Sequence, residues 1–212
     1  MIPIDPSTLL VFAAVSLVLN LTPGPDMVYA LGRRVSSGPS AGYAAALGNL
    51  LGTLVHIGAA ALGLAAFLAA SGDAFTTLRL IGGAVLVVLG ARAILGASAE
   101  PITQPVGGAR SLTRVVAESF AIHTLNPKVA VFFMAFLPQF VDPTLGSPST
   151  QMVVLGLWFA VQAALVICIL TATAGVLTDR IGRNPSFPRL ARRLSGGVLI
   201  LFGLRLATST SH

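Results

Sequence analysis

From Val35 to Gly72 the chain carries no charged side chain, and a second uncharged run extends from Ser149 to Thr178. Each is longer than the roughly 20 apolar residues that a helix needs to cross the hydrocarbon of a bilayer. A water-soluble fold of this length could not bury two such segments on all sides. The composition agrees. Of 212 residues, 55% are hydrophobic and 9% charged, with a mean hydropathy of +0.88, whereas soluble domains carry about 25% charged residues. The bilayer is therefore the solvent, and this length allows about six crossings joined by short connections, in one membrane domain spanning residues 1–212.

The remaining crossings follow from the punctuation. The first runs from Thr8 to Leu21, is interrupted by Pro23-Gly24-Pro25, and resumes from Met27 to Leu31 before Arg33-Arg34. The second lies within Ala41–Ala70, Asp73 marks a turn, and the third is centred between Arg79 and Arg92. After a polar loop, Ala97 to Arg114, the fourth extends from about Val116 to Val141 and is broken by Asn126-Pro127-Lys128. Asp142-Pro143 begins a turn, Ser149–Thr178 is the fifth crossing, and a basic loop, Asp179 to Arg193, leads to the sixth, Leu190 to Ala207.

Net charge +6 does not point to nucleic acid here, because the arginines collect in alternate connections. Arg33 and Arg34, Arg110 and Arg114, and Arg180, Arg183, Arg189, Arg192 and Arg193 follow the odd-numbered crossings; the N-terminus, the intervening turns and the tail have none. The positive-inside rule puts those loops in the cytoplasm and both termini outside it, in a bacterial inner (cytoplasmic) membrane. Met1 to Pro6 lacks the Lys or Arg of a signal-peptide n-region, so the first apolar run is expected to be retained. Cys168, the one cysteine, excludes an intramolecular disulfide or a CxxC redox pair.

The halves repeat. Arg79-Leu80-Ile81-Gly82-Gly83 with Gly90 and Arg92 matches Arg193-Leu194-Ser195-Gly196-Gly197 with Gly203 and Arg205, allowing one deletion. The long uncharged spans are second in each half, and the proline-broken spans first, Pro23 lying 104 residues before Pro127. Three crossings per half is an odd number, so the halves must be oppositely oriented. The expected fold is all-α, six transmembrane helices arranged as two inverted three-helix repeats, about 7–97 and 115–207, with helices 1 and 4 broken. Gly82-Gly83 and Gly196-Gly197 are close-packing faces that suit either contacts within one subunit or a homodimer.

A break inside a bilayer exposes backbone groups that lipid cannot satisfy, and it is tolerated where it is buried in protein or lines a wet cavity. Proline suits the first position of a helical segment, so Asn126 reads as a cap before Pro127; Gly24 or Thr22 caps a segment opened by Pro25 or Pro23. Free N–H groups and the positive dipole end then face each break and can receive an anion such as a carboxylate. The alternative is a proline kink used only for packing. Asp26 and Lys128 each follow the proline of a break, deep in apolar sequence. At such depth a charge faces a partner or a cavity: either the two meet substrate ammonium and carboxylate, or they pair with each other or snorkel to the interface. His56 lies mid-span and is either a titrating proton carrier or a hydrogen-bonded core histidine. Asn20 and Asn49 brace the breaks, Glu118 can pair with Arg114 at i,i+4, and His123 precedes the second break. Arg79, Arg92 and Arg205 read as interfacial anchors.

No HExxH, GxSxG or phosphate-binding glycine loop occurs, so the chain is not read as an enzyme and no cofactor is implied. Without an ATP-binding domain, transport draws on an ion gradient or runs downhill. The acidic and histidine residues are too scattered for a metal cluster. A channel, or an exporter of another small solute or a metal ion, is the competing reading.

The motifs at the breaks resemble a known family. Asn20-Leu21-Thr22-Pro23-Gly24-Pro25-Asp26, the Gly48–Gly63 stretch with His56, and Asn126-Pro127-Lys128 followed by Phe136-Leu137-Pro138-Gln139-Phe140 are similar to the LysE/RhtB amino-acid exporters. The resemblance runs from about Thr8 to Leu206. It implies efflux of amino acids or their derivatives, with protons as the coupling ion, and does not choose among basic, hydroxylated and branched-chain substrates. Carried onto this chain, it nominates Pro23, Gly24, Pro25, Asp26, Asn126, Pro127 and Lys128 as substrate-binding, beside Asn20 and Asn49, with Asp26 and His56 as the proton-coupling candidates.

Overall fold

The computed structural model describes residues 4–69, 72–95, 108, 110–181 and 186–208. Among these, every regular element is helical. Helix α1 (Pro6–Leu21) starts on Asp5, whose carboxylate accepts from the N–H groups of Ser7 and Thr8 at 2.9 and 3.1 Å. It ends at Thr22, which turns its N–H and hydroxyl back onto Val18, the hydroxyl at 2.7 Å. After Pro23 and Gly24, α2 (Pro25–Ser37) leaves at 55° to α1. Helix α3 (Pro39–Ala69) is one uninterrupted rod, and α4 (Gly72–Leu95) follows.

The second half begins with α5 (Leu112–Thr124), capped by the Ser111 hydroxyl. Its continuation α6 (Pro127–Val131) is bent away by 49° and widens into a π turn, Phe132–Phe136, before tightening into a 3₁₀ turn, Leu137–Phe140. A short 3₁₀ turn, Pro143–Leu145, precedes the long α7 (Pro148–Ile181); α8 (Ser186–Thr208) closes the chain.

Two uninterrupted helices contain apolar stretches long enough to cross a membrane, Pro39–Gly63 and Pro148–Ala174, and counting each bent pair as one span raises the number to four. Helices α4 and α8 add the shorter apolar stretches Leu80–Leu95 and Gly196–Arg205. Leu10, Leu62, Leu95, Val161, Ile169, Leu194 and Leu201 point outward with more than half of their surface exposed, an arrangement that suits a lipid solvent and not water.

Several boundaries differ from the sequence reading. Asp73 falls inside the first turn of α4, not in a turn between helices. The polar connection ends at Ser111, so Arg114 is helical; residues 96–107 lie outside the described residues. Most of the expected basic loop is helix, since α7 continues to Ile181 and α8 already begins at Ser186. Charged and polar residues carry helix well past the apolar limit, which hydropathy alone cannot register. Arg33, expected in a loop, is on α2 and fully buried.

Helices α4 and α8 pack backbone to backbone. A methyl group on Gly83 would stand 2.7 Å from the Gly203 carbonyl oxygen, and one on Gly203 would stand 2.5 Å from that of Gly83. Gly90 and Gly196 show the same reciprocity at 2.5 and 2.6 Å. These glycines thus serve contacts within the subunit. Gly48 and Gly52 likewise let α3 approach α5, where an added methyl would meet the Val116 carbonyl at 2.4 Å and His123 at 3.1 Å. Two apolar clusters result. One is aromatic, built on Phe12, Phe132, Phe133, Phe136 and Phe159; the other gathers Met27, Ala30, Val115 and Ile167.

Candidate functional site

The two breaks meet where the apolar clusters adjoin, and each reaches into the other. Asn126 caps α6 by accepting the Lys128 N–H on its side-chain oxygen at 3.0 Å, with Pro127 next as the first helical residue. The amide nitrogen of that same side chain donates across to Asp26 Oδ1 at 3.1 Å. In the return direction, Lys128 Nζ donates to the Thr22 and Leu19 carbonyls in the last turn of α1, at 2.9 and 3.3 Å. Each charge therefore sits at the helix end that favours it: the ammonium at the carbonyl end of α1, the carboxylate in the first turn of α2. Asp26 and Lys128 make no direct hydrogen bond or ion pair with each other, although the two charges attract across Gly24.

Gly24 lies between them. It caps α2 with Pro25 as its first residue, which settles the choice that the sequence leaves between Pro23 and Pro25. A methyl on Gly24 would stand 2.7 Å from Asp26 Oδ1 and 3.2 Å from Lys128 Nζ. Pro23 fills the link between Thr22 and Gly24 and opens no helix.

Sequence reading left His123 at the margin; the structure puts it at the centre. Its Nδ1 is 3.1 Å from Asp26 Oδ2 and its Nε2 is 3.0 Å from the Thr53 hydroxyl, joining α2, α3 and α5. The detectable signal was a histidine one helical turn before an Asn-Pro break, on the same face as the cap. His56 does not reach Asp26. Its Nε2 lies 3.3 Å from the His123 carbonyl, and its ring stacks on Phe133 at 5.7 Å. Asn49 takes a hydrogen bond from Ser119 at 2.7 Å, while its amide nitrogen is buried without an acceptor. Asn20 is 3.5 Å from Gln162, which also binds Ser16 at 2.6 Å and the Ala13 carbonyl at 3.1 Å, so α7 is fastened to α1 beside the site.

These residues surround a small cavity of about 20 Å³, lined by Asn20, Thr22, Asp26, Asn49, His123 and Lys128 on one side and by apolar residues of α7 on the other. Such a volume accommodates about one water molecule. Phe159 lines it and packs on Phe132 at 4.9 Å between ring centres. Five residues before His123 on α5, Glu118 accepts from the Tyr29 hydroxyl at 2.6 Å, Arg110 at 2.7 Å, Arg114 at 3.0 Å and the buried Arg33 at 3.4 Å. The expected Glu118–Arg114 pair is thus one strand of a larger network. Chemically, the cavity offers an acid, an ammonium and neutral amides in a low-dielectric setting, groups that complement both ends of a zwitterion, which would need the helices to part before it could enter.

The family model of the LysE type translocator matches residues 17–210. The chain is 31% identical to an uncharacterized membrane protein of Pseudomonas aeruginosa, over 90% of each chain. It is also 31% identical to one of Vibrio cholerae, over 94% of this chain and 96% of the other. A protein named leucine efflux protein from Klebsiella pneumoniae is 26% identical over 90% of each. No solved structure matches. With a family match that covers both breaks and nearly the whole length, the chain belongs to the LysE type translocators, a family of membrane transporters and not enzymes.

Proposed function

We propose that the protein is a secondary-active exporter of amino acids or their derivatives across the bacterial inner membrane, coupled to protons. The carrying observation is the cross-linked pair of breaks: Asn126 donates to Asp26, and Lys128 to the end of α1, beside one small cavity. Two residues of opposite charge held by opposite halves can receive the ammonium and carboxylate of a zwitterion when the halves part. The names of the leucine efflux relatives support amino-acid cargo.

In this reading the six crossings are two bent pairs, two long helices and α4 with α8, in two inverted repeats of about 7–97 and 115–207, with both termini outside the cytoplasm. The reciprocal glycine contacts of α4 and α8 support the symmetry, because a two-fold axis in the membrane plane generates such an exchange. Alternating access is then a rocking of one half against the other. Proton coupling runs through Asp26, whose carboxylate touches His123, with His56 one carbonyl further on.

The test is counterflow in proteoliposomes loaded with amino-acid mixtures. Saturable exchange is expected, and Asp26→Asn and Lys128→Ala should each lower it at least about tenfold while the protein still inserts, in line with the expense of leaving a charged partner unmatched. Steady ionic current without counterflow would instead identify a channel.

A further inference from the structure

Resting on that exporter reading, the geometry points to one face of α7, Ala160, Ala163 and Ala164, as the seat of the substrate side chain, which restricts the cargo to amino acids with neutral aliphatic side chains. The elements that line the cavity differ in chemistry. The breaks and α3 bring Asp26, His123, Lys128 and Asn49 together with the apolar Met27, Ala46, Leu50 and Val129. Helix α7 brings apolar groups alone: Phe159, and Ala160, Ala163, Ala164 and Ile167 at the i, i+3, i+4, i+7 positions of one helical face.

A second observation fixes which way the substrate lies. Asn49 is 5% exposed; its side-chain oxygen is held by Ser119, and its Nδ2 is buried with no acceptor. Buried donors are nearly always matched, and a carboxylate oxygen matches this one with a charge-assisted hydrogen bond. An α-carboxylate on Asn49 and Lys128, with the ammonium toward Asp26, turns the side chain to the remaining wall, the alanines. Gln162 holds that wall in register by its bonds to Ser16 and the Ala13 carbonyl. Asp26 and Lys128 being engaged by the zwitterion, a lysine or glutamate side chain would enter an apolar pocket without a counter-charge, and burial of an unpaired charge is strongly disfavoured. The alanines set how large an aliphatic group fits.

The experiment is counterflow of labelled leucine in proteoliposomes against unlabelled leucine, isoleucine, alanine, lysine or glutamate. Wild type should exchange leucine and isoleucine at least about tenfold faster than lysine or glutamate. In Ala163→Leu the leucine-to-alanine exchange ratio should fall about tenfold or more, the scale on which a hydrophobic pocket discriminates added carbon; Ala163→Val serves should the leucine variant fail to insert. Asn49→Ala should raise KM for leucine and alanine by a common factor, because it removes a contact to the shared carboxylate. Lysine or glutamate exchanging as fast as leucine, or an unchanged leucine-to-alanine ratio in a properly inserted Ala163 variant, would overturn the assignment while leaving the exporter reading intact. A wild type that exchanges none of the five would also overturn the assignment, whereas the exporter reading falls only if the amino-acid mixtures show no counterflow either.

Discussion

His123 ties together three helices: its ring meets Asp26 of α2 and Thr53 of α3 from its place on α5. Removing the ring in His123→Ala takes a hydrogen bond from a buried carboxylate, a change that usually costs about 1–3 kcal/mol. We expect a correspondingly lower melting temperature and a loss of proton-dependent exchange, read from counterflow with and without a pH gradient. His56→Gln should have the smaller effect on both, because His56 contacts the carbonyl and ring of His123 and the Phe133 ring but makes no hydrogen bond to Asp26. This ordering reverses the emphasis available from sequence. Asp26 and Lys128 are conspicuous there because a charge after a proline in apolar surroundings has few roles. The importance of His123 depends on a partner 97 residues away, and linear sequence carries no sign of that meeting. Asn49 was legible as a polar residue near the site, but its bond to Ser119, 70 residues on, and its unmatched amide were not.

At the scale of elements, the proline-and-cap chemistry of the breaks was readable, since a cap and a proline at the first helical position are local requirements. The cap rule alone leaves Pro23 and Pro25 open, but the residue before a proline is pushed out of the helical region, and Gly24 is accordingly extended. The π turn at Phe132–Phe136 left no sequence signature; it turns Phe132, Phe133 and Phe136 together into the aromatic cluster. Glycine periodicity in α4 and α8 was visible, whereas its use was settled by packing. Gly203→Val should destabilise the protein by about 1–3 kcal/mol or more, the usual result of overfilling a close contact, since even its first added carbon would sit 2.5 Å from a backbone carbonyl. Gly197→Ala, on the same helix with nothing within 4 Å, should raise the melting temperature slightly, because alanine is the better helix former by up to about 1 kcal/mol. Thermal unfolding of both in one detergent separates packing from helix propensity.

At the scale of the whole molecule, membrane residence and the two interrupted spans follow from hydropathy and proline placement, because lipid imposes those on any chain. How the cavity is closed could not be read, since closure is made by side chains from distant segments. Packed phenylalanine rings stand on one flank, and toward the start of α5 the Glu118 network draws Tyr29 and Arg33 of α2 onto that helix. Charges bonded across two helices are easier to part than a packed core, so this flank is the one expected to open first. In a Cys168→Ala background, a cysteine placed at Asn20 should react faster with a water-soluble thiol reagent once Glu118→Gln is added; an unchanged rate would mean that Glu118 does not hold the cavity shut. The small size of the cavity also bears on energy economy. On the exporter reading, a site with room for about one water molecule offers ions little passage between transport cycles, so a cell could make many copies without short-circuiting its ion gradient.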